Sequence, residues 1–170
     1  AEVVTQFTWD YVQARPQLAR LYEKGKTSQW NATTDIDWTP EVNFGEEQEV
    51  DPEVQQMGEL LFTMGIDPDS PLAKFDEGQR NQLGWEFQSW MLSQFMHGEQ
   101  GALVATARLV ETVPDIDSKY YAANQVNDEA RHVEAYAKYL NEKLKDSYPI
   151  SSPLESLLVD IMTEKRWDIT

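Results

Sequence analysis

Two glutamates, Glu99 and Glu129, each stand 15 residues from Pro114, one before it and one after. Helical patterning runs through both flanks: residues 77–113 and 118–145 read as two long helices, and no proline interrupts either stretch. Between them, Thr112-Val113-Pro114-Asp115-Ile116-Asp117 places a helix stop at Pro114 and a cap for the next helix at Asp117 or Ser118. So short a connection makes the two helices antiparallel neighbours. At ~1.5 Å of rise per residue, both glutamates lie roughly 20 Å from the turn, which sets them facing each other at one level.

The remaining segments predict an all-α chain of one domain or part of one. Phe7 to Lys26 carries Phe7, Tyr11, Leu18, Leu21 and Tyr22 at roughly helical spacing, with Pro16 positioned to start or kink a helix. Trp30 to Asp51 is rich in turn formers and carries Trp30, Trp38 and Phe44, so an ordered loop anchored by aromatic rings is expected. A short helix is expected over Pro52 to Met64, stopped by Gly65 and followed by the loop Asp67 to Pro71. After a break at Tyr148 to Pro153, a new amphipathic helix begins near Leu154. No glycine or proline stops it before Thr170, so it reads as a helix cut in mid-course. No strand pattern and no internal repeat is evident.

The helix faces carry the chemistry. Glu99 shares its stripe with Leu92, Phe95, Met96, Ala102, Leu103, Thr106 and Val110. A lone ionised carboxylate on such an apolar face costs several kcal/mol unless it is paired, protonated or bound to a metal. On the second helix, Glu129 and His132 are spaced i, i+3 and project from one face, beside Tyr121, Ala122, Gln125, Val126, Val133 and Tyr136. Two carboxylates and an imidazole meeting in an apolar interior suit iron or manganese. Glu99, Glu129 and His132 are therefore candidate metal ligands. Gln125, Asp128 and Arg131 flank them as supporting residues: Asp128 is placed to take the free N–H of a ligand histidine on a facing helix, or simply to pair with Arg131 on its own. Leu92, Phe95, Met96 and Leu103 are candidates to line a substrate pocket, although filling the core is the commoner fate of such a stripe. His97 has no carboxylate three or four residues before it and reads as structural.

Composition closes off other chemistries. With no cysteine in 170 residues, disulfides, thiolate metal sites and thiol catalysis are excluded. The formal net charge of −16 argues against nucleic acid and against anionic membrane surfaces. No apolar run approaches the ~18 residues of a membrane span, no basic-then-apolar leader opens the sequence, and a cytoplasmic location is the default expectation.

The segments His97-Gly98-Glu99-Gln100-Gly101-Ala102-Leu103 and Gln125-Val126-Asn127-Asp128-Glu129-Ala130-Arg131-His132 resemble the first metal half-site of ferritin-like di-iron carboxylate proteins. The likeness is greatest to the hydroxylase alpha subunits of bacterial multicomponent monooxygenases. It covers roughly Trp85 to Leu140, and more faintly Trp30 to Trp38. It implies a ferritin-like helical bundle and a di-iron centre that activates O2 to oxidise an organic substrate, with Glu99, Glu129 and His132 on one side of the centre. Manganese is an alternative metal.

That family pattern calls for a further Glu and a further Glu-x-x-His on two later helices, and no histidine follows His132. The expectation is thus a half-bundle, completed by more of the same polypeptide, by another subunit or by a symmetric copy. Two other functions share the frame: a ferritin-like iron oxidase or iron-handling protein, and a metal-free structural subunit of a helical oxygenase complex.

Overall fold

The computed structural model describes residues 5–43 and 69–169. The helix expected over Pro52 to Met64, the segment from Phe44 to Asp51 and the start of the loop at Asp67-Pro68 lie outside the described residues. Within them the chain is helical: α1 spans Pro16–Thr27, α2 Glu77–Thr112, α3 Ile116–Tyr139 and α4 Ser152–Thr163. One turn of 3-10 helix, Pro71–Lys74, precedes α2, and α3 runs on into a π-helical turn, Leu140–Leu144. Among the described residues no helix is long and apolar enough to cross a membrane.

Local chemistry sets the helix ends. Asp76 opens α2 with a reciprocal cap, its Oδ1 accepting from the Gln79 amide at 2.8 Å while Gln79 Oε1 accepts from the Asp76 amide at 3.0 Å. Val113 is extended (φ −69°, ψ 144°), as a residue before proline prefers, and ends α2. The cap of α3 is Asp115, rather than the expected Asp117 or Ser118; its Oδ1 accepts from the Ser118 amide at 3.0 Å. The π turn ends at Lys145, the described non-glycine residue with positive φ (58°).

The expected helix from Phe7 begins only at Pro16. Proline occupies the first turn of α1, where its missing N–H costs nothing, and it disfavours helical geometry in the residue before it. Residues 5–15 are instead held across the α2–α3 turn: the Gln6 amide donates to the Glu111 carbonyl at 2.7 Å, and the Ala14 and Arg15 amides donate to Asp117 Oδ2 at 2.9 and 2.8 Å. The last helix also differs from its expected course. It starts at Ser152, with Pro153 in its first turn, and stops at Thr163, where Glu164 turns extended.

α2 and α3 form the expected antiparallel pair, with α1 on the outer side of α3 and α4 on α2. Gly25 lets α1 approach closely, for a Cβ there would sit 1.9 Å from Asn124 Nδ2; Tyr22 and Tyr120 stack beside it with centroids 5.3 Å apart. Gly101 does the same for α4, where a Cβ would meet Leu158 Cδ2 at 2.4 Å. The buried Arg108 guanidinium donates to the carbonyls of Met162 and Glu164 at the C-terminal end of α4, the end where a cation is favoured. Between α3 and α4, residues 148–151 are strapped along α2: His97 Nε2 bonds the Tyr148 carbonyl at 2.9 Å, and Ser93 Oγ accepts from the Tyr148 amide at 3.0 Å. His97 is thus structural, as its sequence setting indicates.

The packed interior is small. Val113, Ala122, Leu140 and Leu144 are buried, whereas Phe87, Phe95 and Val104 of α2 stay about half exposed. Among the described residues, an apolar part of the α2 surface thus stays about half exposed next to Glu99, which follows Phe95 by one turn.

Candidate metal centre

Because α2 and α3 run antiparallel from a tight turn, Glu99 and Glu129 meet at one height. His132 Nδ1 lies 3.2 Å from Glu99 Oε2 and 3.1 Å from Glu129 Oε2. One ligand atom from each of the three residues falls within 4.8 Å of the others. A first-row divalent ion bonded at about 2.0–2.2 Å to each donor needs spacings of this order. Glu129 is buried (8 % exposed), while the side chains of Glu99 and His132 keep 26 % and 39 % exposure, so the cluster is closed below and open on one side.

Electrostatics fits such a use. Burial pushes the Glu99 carboxyl above its ordinary range, reinforced by its hydrogen bond with Glu129. Burial works in the same direction on Glu129, yet hydrogen bonds with Glu99, Gln125 and His132 outweigh it and hold that carboxyl below the ordinary range. Two carboxylates this close repel one another, a repulsion that a bound cation would relieve. Two oxygen donors and one nitrogen donor, with no sulfur, suit a hard or borderline divalent cation.

The surrounding residues orient the cluster. Gln125, one turn before Glu129, donates from Nε2 to Glu129 Oε1 and fixes the carboxylate plane. Asp128 pairs with Arg131 on its own helix, and Arg131 also donates to Gln29 Oε1. Of the two roles expected for Asp128, the i, i+3 pair with Arg131 within α3 is the one formed in this chain. Arg131 lies over the Trp30 ring at 5.2 Å, and Trp30 stacks on His132 with centroids 6.2 Å apart. The loop after α1 thus packs directly on a ligand side chain.

The same loop forms a cleft that helix periodicity did not disclose. It has a volume of about 630 Å³, walled by Trp30, Ile36, Trp38, Pro40 and Val42 on one side and by His132, Ala135, Tyr136 and Tyr139 of α3 on the other, with Gln88 and Leu92 of α2 between. Of the four residues expected to line a pocket, Leu92 lines this cleft; Phe95, Met96 and Leu103 are not among its walls. Phe95 instead stacks on Tyr136, with centroids 6.2 Å apart and half its surface exposed. The cleft lies along α3 beside the Trp30–Val42 loop, with Leu92 of α2 at its edge. The one available signal was two tryptophans among turn formers in the segment from Trp30 to Trp38. Trp38 Nε1 donates to the Ala32 carbonyl at 2.7 Å, and Lys138 lies 4.9 Å over its ring. Compared with known proteins, the chain matches no family model, no curated protein and no solved structure, so the site stands on its own geometry.

Proposed function

We propose that this chain supplies one half of a non-haem di-iron centre in a ferritin-like helical bundle and serves an O2-activating oxidoreductase that oxidises an organic substrate. The observation that carries the proposal is the convergence of Glu99, Glu129 and His132, with Nδ1 of the histidine 3.1–3.2 Å from both carboxylates. The resemblance of the two ligand segments to monooxygenase hydroxylase subunits supports the same reading.

In this scheme Glu129, buried and oriented by Gln125, would be one carboxylate ligand, its carboxyl held, despite burial, below the ordinary range by hydrogen bonds with Glu99, Gln125 and His132. Glu99, on the more exposed side, would be the second carboxylate ligand, its carboxyl pushed above the ordinary range by burial. His132 contributes Nδ1, and its ring is held by Trp30. Iron, when bound, supplies the electrons for O2 reduction. The remaining ligands come from a second pair of helices, from the same polypeptide, another subunit or a symmetric copy, packed against the half-exposed apolar surface around Phe95.

Iron handling without an organic substrate uses the same ligands. The aromatic cleft beside His132 favours the oxygenase, since iron storage has no use for an apolar cavity. A metal-free structural role would leave three ligand-type side chains clustered at a cost in desolvation with no return.

Metal analysis after anaerobic loading with Fe(II) or Mn(II) tests the proposal. The expected result is about one ion per triad, lost in His132→Ala with helix content retained. Full metal content in that variant sinks the assignment. Rapid-mixing absorption after O2 addition to the ferrous protein then separates oxygenase chemistry from plain iron oxidation.

A further inference from the structure

The cleft between the Trp30–Val42 loop and α3 has a chemical character that narrows what it can hold. Its α3 wall is a single stripe, His132, Ala135, Tyr136, Tyr139 and Lys143, spaced at three and four residues and running roughly 16 Å along the helix. His132, at one end, belongs also to the metal triad. Lys143, at the other end, is the one Lys or Arg among the described lining residues and is itself buried (8 % exposed).

The charges at that far end already answer one another. Glu41 Oε1 lies 3.8 Å from Lys143 Nζ, and Asp37 stands in the same wall. Asp37 Oδ1 is engaged in turn by the Thr39 amide at 2.9 Å and the Thr39 hydroxyl at 2.7 Å. The outer cations are occupied as well, Lys138 over Trp38 and Arg131 over Trp30 with a bond to Asp128. An anionic ligand would meet Glu41 and Asp37 beside Lys143; a cationic one would compete with Lys143 for the same two acids. What is left for a ligand is mainly aromatic and aliphatic surface, with the Gln88 amide between the walls, in a volume of the size that small-molecule sites occupy.

We propose that this cleft is the organic-substrate site, and that it takes an uncharged, largely apolar molecule of one or two fused rings, lying along α3 with one end at His132. Its role as a substrate site rests on the di-iron reading, whereas the binding itself does not. Flat rings suit walls made of Trp30, Trp38 and Tyr136, and burying their surface contributes about 25 cal/mol per Å². With one end at His132, the ligand abuts the triad from the cleft.

Equilibrium dialysis of the purified chain with three probes of one shape decides the matter: 2-naphthol, neutral at pH 7, 2-naphthoate and 2-naphthylmethylammonium. The expected result is at least tenfold tighter binding of the naphthol than of either ion, with or without Mn(II). Ala135→Trp, which fills the middle of the cleft, and Val42→Trp, which fills it from the loop without touching a long helix, each weaken naphthol binding at least tenfold. Equal or tighter binding of a charged probe overturns the proposal, as does unchanged naphthol binding in either variant with wild-type helix content. Metal loading, measured separately on the same samples, keeps the two ideas apart. Naphthol binding without metal uptake leaves the cleft standing and removes the di-iron reading; metal uptake without naphthol binding does the reverse.

Discussion

Trp30 stacks on His132 with ring centroids 6.2 Å apart, although 102 positions separate them in the chain (132 − 30). One loop residue therefore backs a candidate metal ligand and walls the adjoining cleft. The ligands come from two adjacent helices, but the environment of the histidine comes from a segment that precedes both. Four outcomes follow from this arrangement and from the bonds that hold it.

Gln125 orients Glu129 by donating to its Oε1, so Gln125→Leu leaves a buried carboxylate oxygen without its donor. Supporting residues of this kind typically change metal affinity by about 10–100-fold. Mn(II) titration followed by electron paramagnetic resonance is expected to show a loss in that range, with an unchanged far-ultraviolet dichroism spectrum. An unaltered affinity would show that Glu129 needs no external orientation.

Asp115 caps α3 and also accepts from Arg15 Nε at 2.9 Å. Burial pushes its carboxyl upward, but the bonds from Ser118 and the charge of Arg15 outweigh this and hold it below the ordinary range. A carboxyl depressed in the folded state gives stability that is present above its unfolded pKa and lost as pH falls through the folded one. Asp115→Ala is expected to cost ~1 kcal/mol at neutral pH, or about 2–4 °C of melting temperature for a chain of this size. The gap between variant and wild type should close on acidification below about pH 4. A gap that persists there would assign the loss to something other than the ionised cap.

Asp117, not the cap, is the buried acid of this turn, and it holds the N-terminal segment through the amides of Ala14 and Arg15. In Asp117→Ala both amides, which belong to exposed residues and can turn to water, lose their acceptor, a change worth about 0.5–1.5 kcal/mol for each bond. Amide hydrogen exchange at Ala14 and Arg15 should accelerate strongly, while exchange in the middle of α3 stays slow. Uniform acceleration through α2 and α3 would instead mean that the segment is integral to the whole fold.

Tyr148 donates its phenolic proton to Glu86 Oε2, and that bond pushes its pKa up to about 12, with burial and the negative charges of Glu86 and Asp146 adding to it. The contribution of the pair is complete below the ordinary tyrosine pKa of about 10 and disappears as pH rises toward the folded value. Ultraviolet titration of the phenolates should show one of the seven tyrosines ionising near pH 12. Glu86→Gln is expected to return it toward the ordinary range, and Tyr148→Phe to abolish the step. Retention of the late step in Tyr148→Phe assigns it to another residue.

Much of the frame was legible because it is local. Apolar spacing marked α2 and α3, Pro114 and its neighbours marked the turn, and counting residues outward from the proline placed Glu99 opposite Glu129. Legibility failed where two local signals competed. The apolar residues from Phe7 onward have helical spacing, but Pro16 and the bonds to Asp117 hold residues 5–15 out of a helix. Asp115, Asp117 and Ser118 are all acceptable caps, and only the packing of the N-terminal segment on Asp117 leaves the role to Asp115.

The sequence by itself determined an all-α chain, an antiparallel helix pair and the level match of Glu99 with Glu129 and His132. These follow from helix rise, side-chain periodicity and a stiff turn, quantities that act over a few residues. The tertiary structure alone decided where the loop after α1 lies, that Trp30 covers His132, that Asp128 turns to Arg131, and that the cleft is walled by Trp38 and Tyr139 rather than by Phe95 and Leu103. Those contacts join residues far apart in the chain. They are selected by shape and by competition for hydrogen-bond partners, which leave no periodic trace in the order of amino acids.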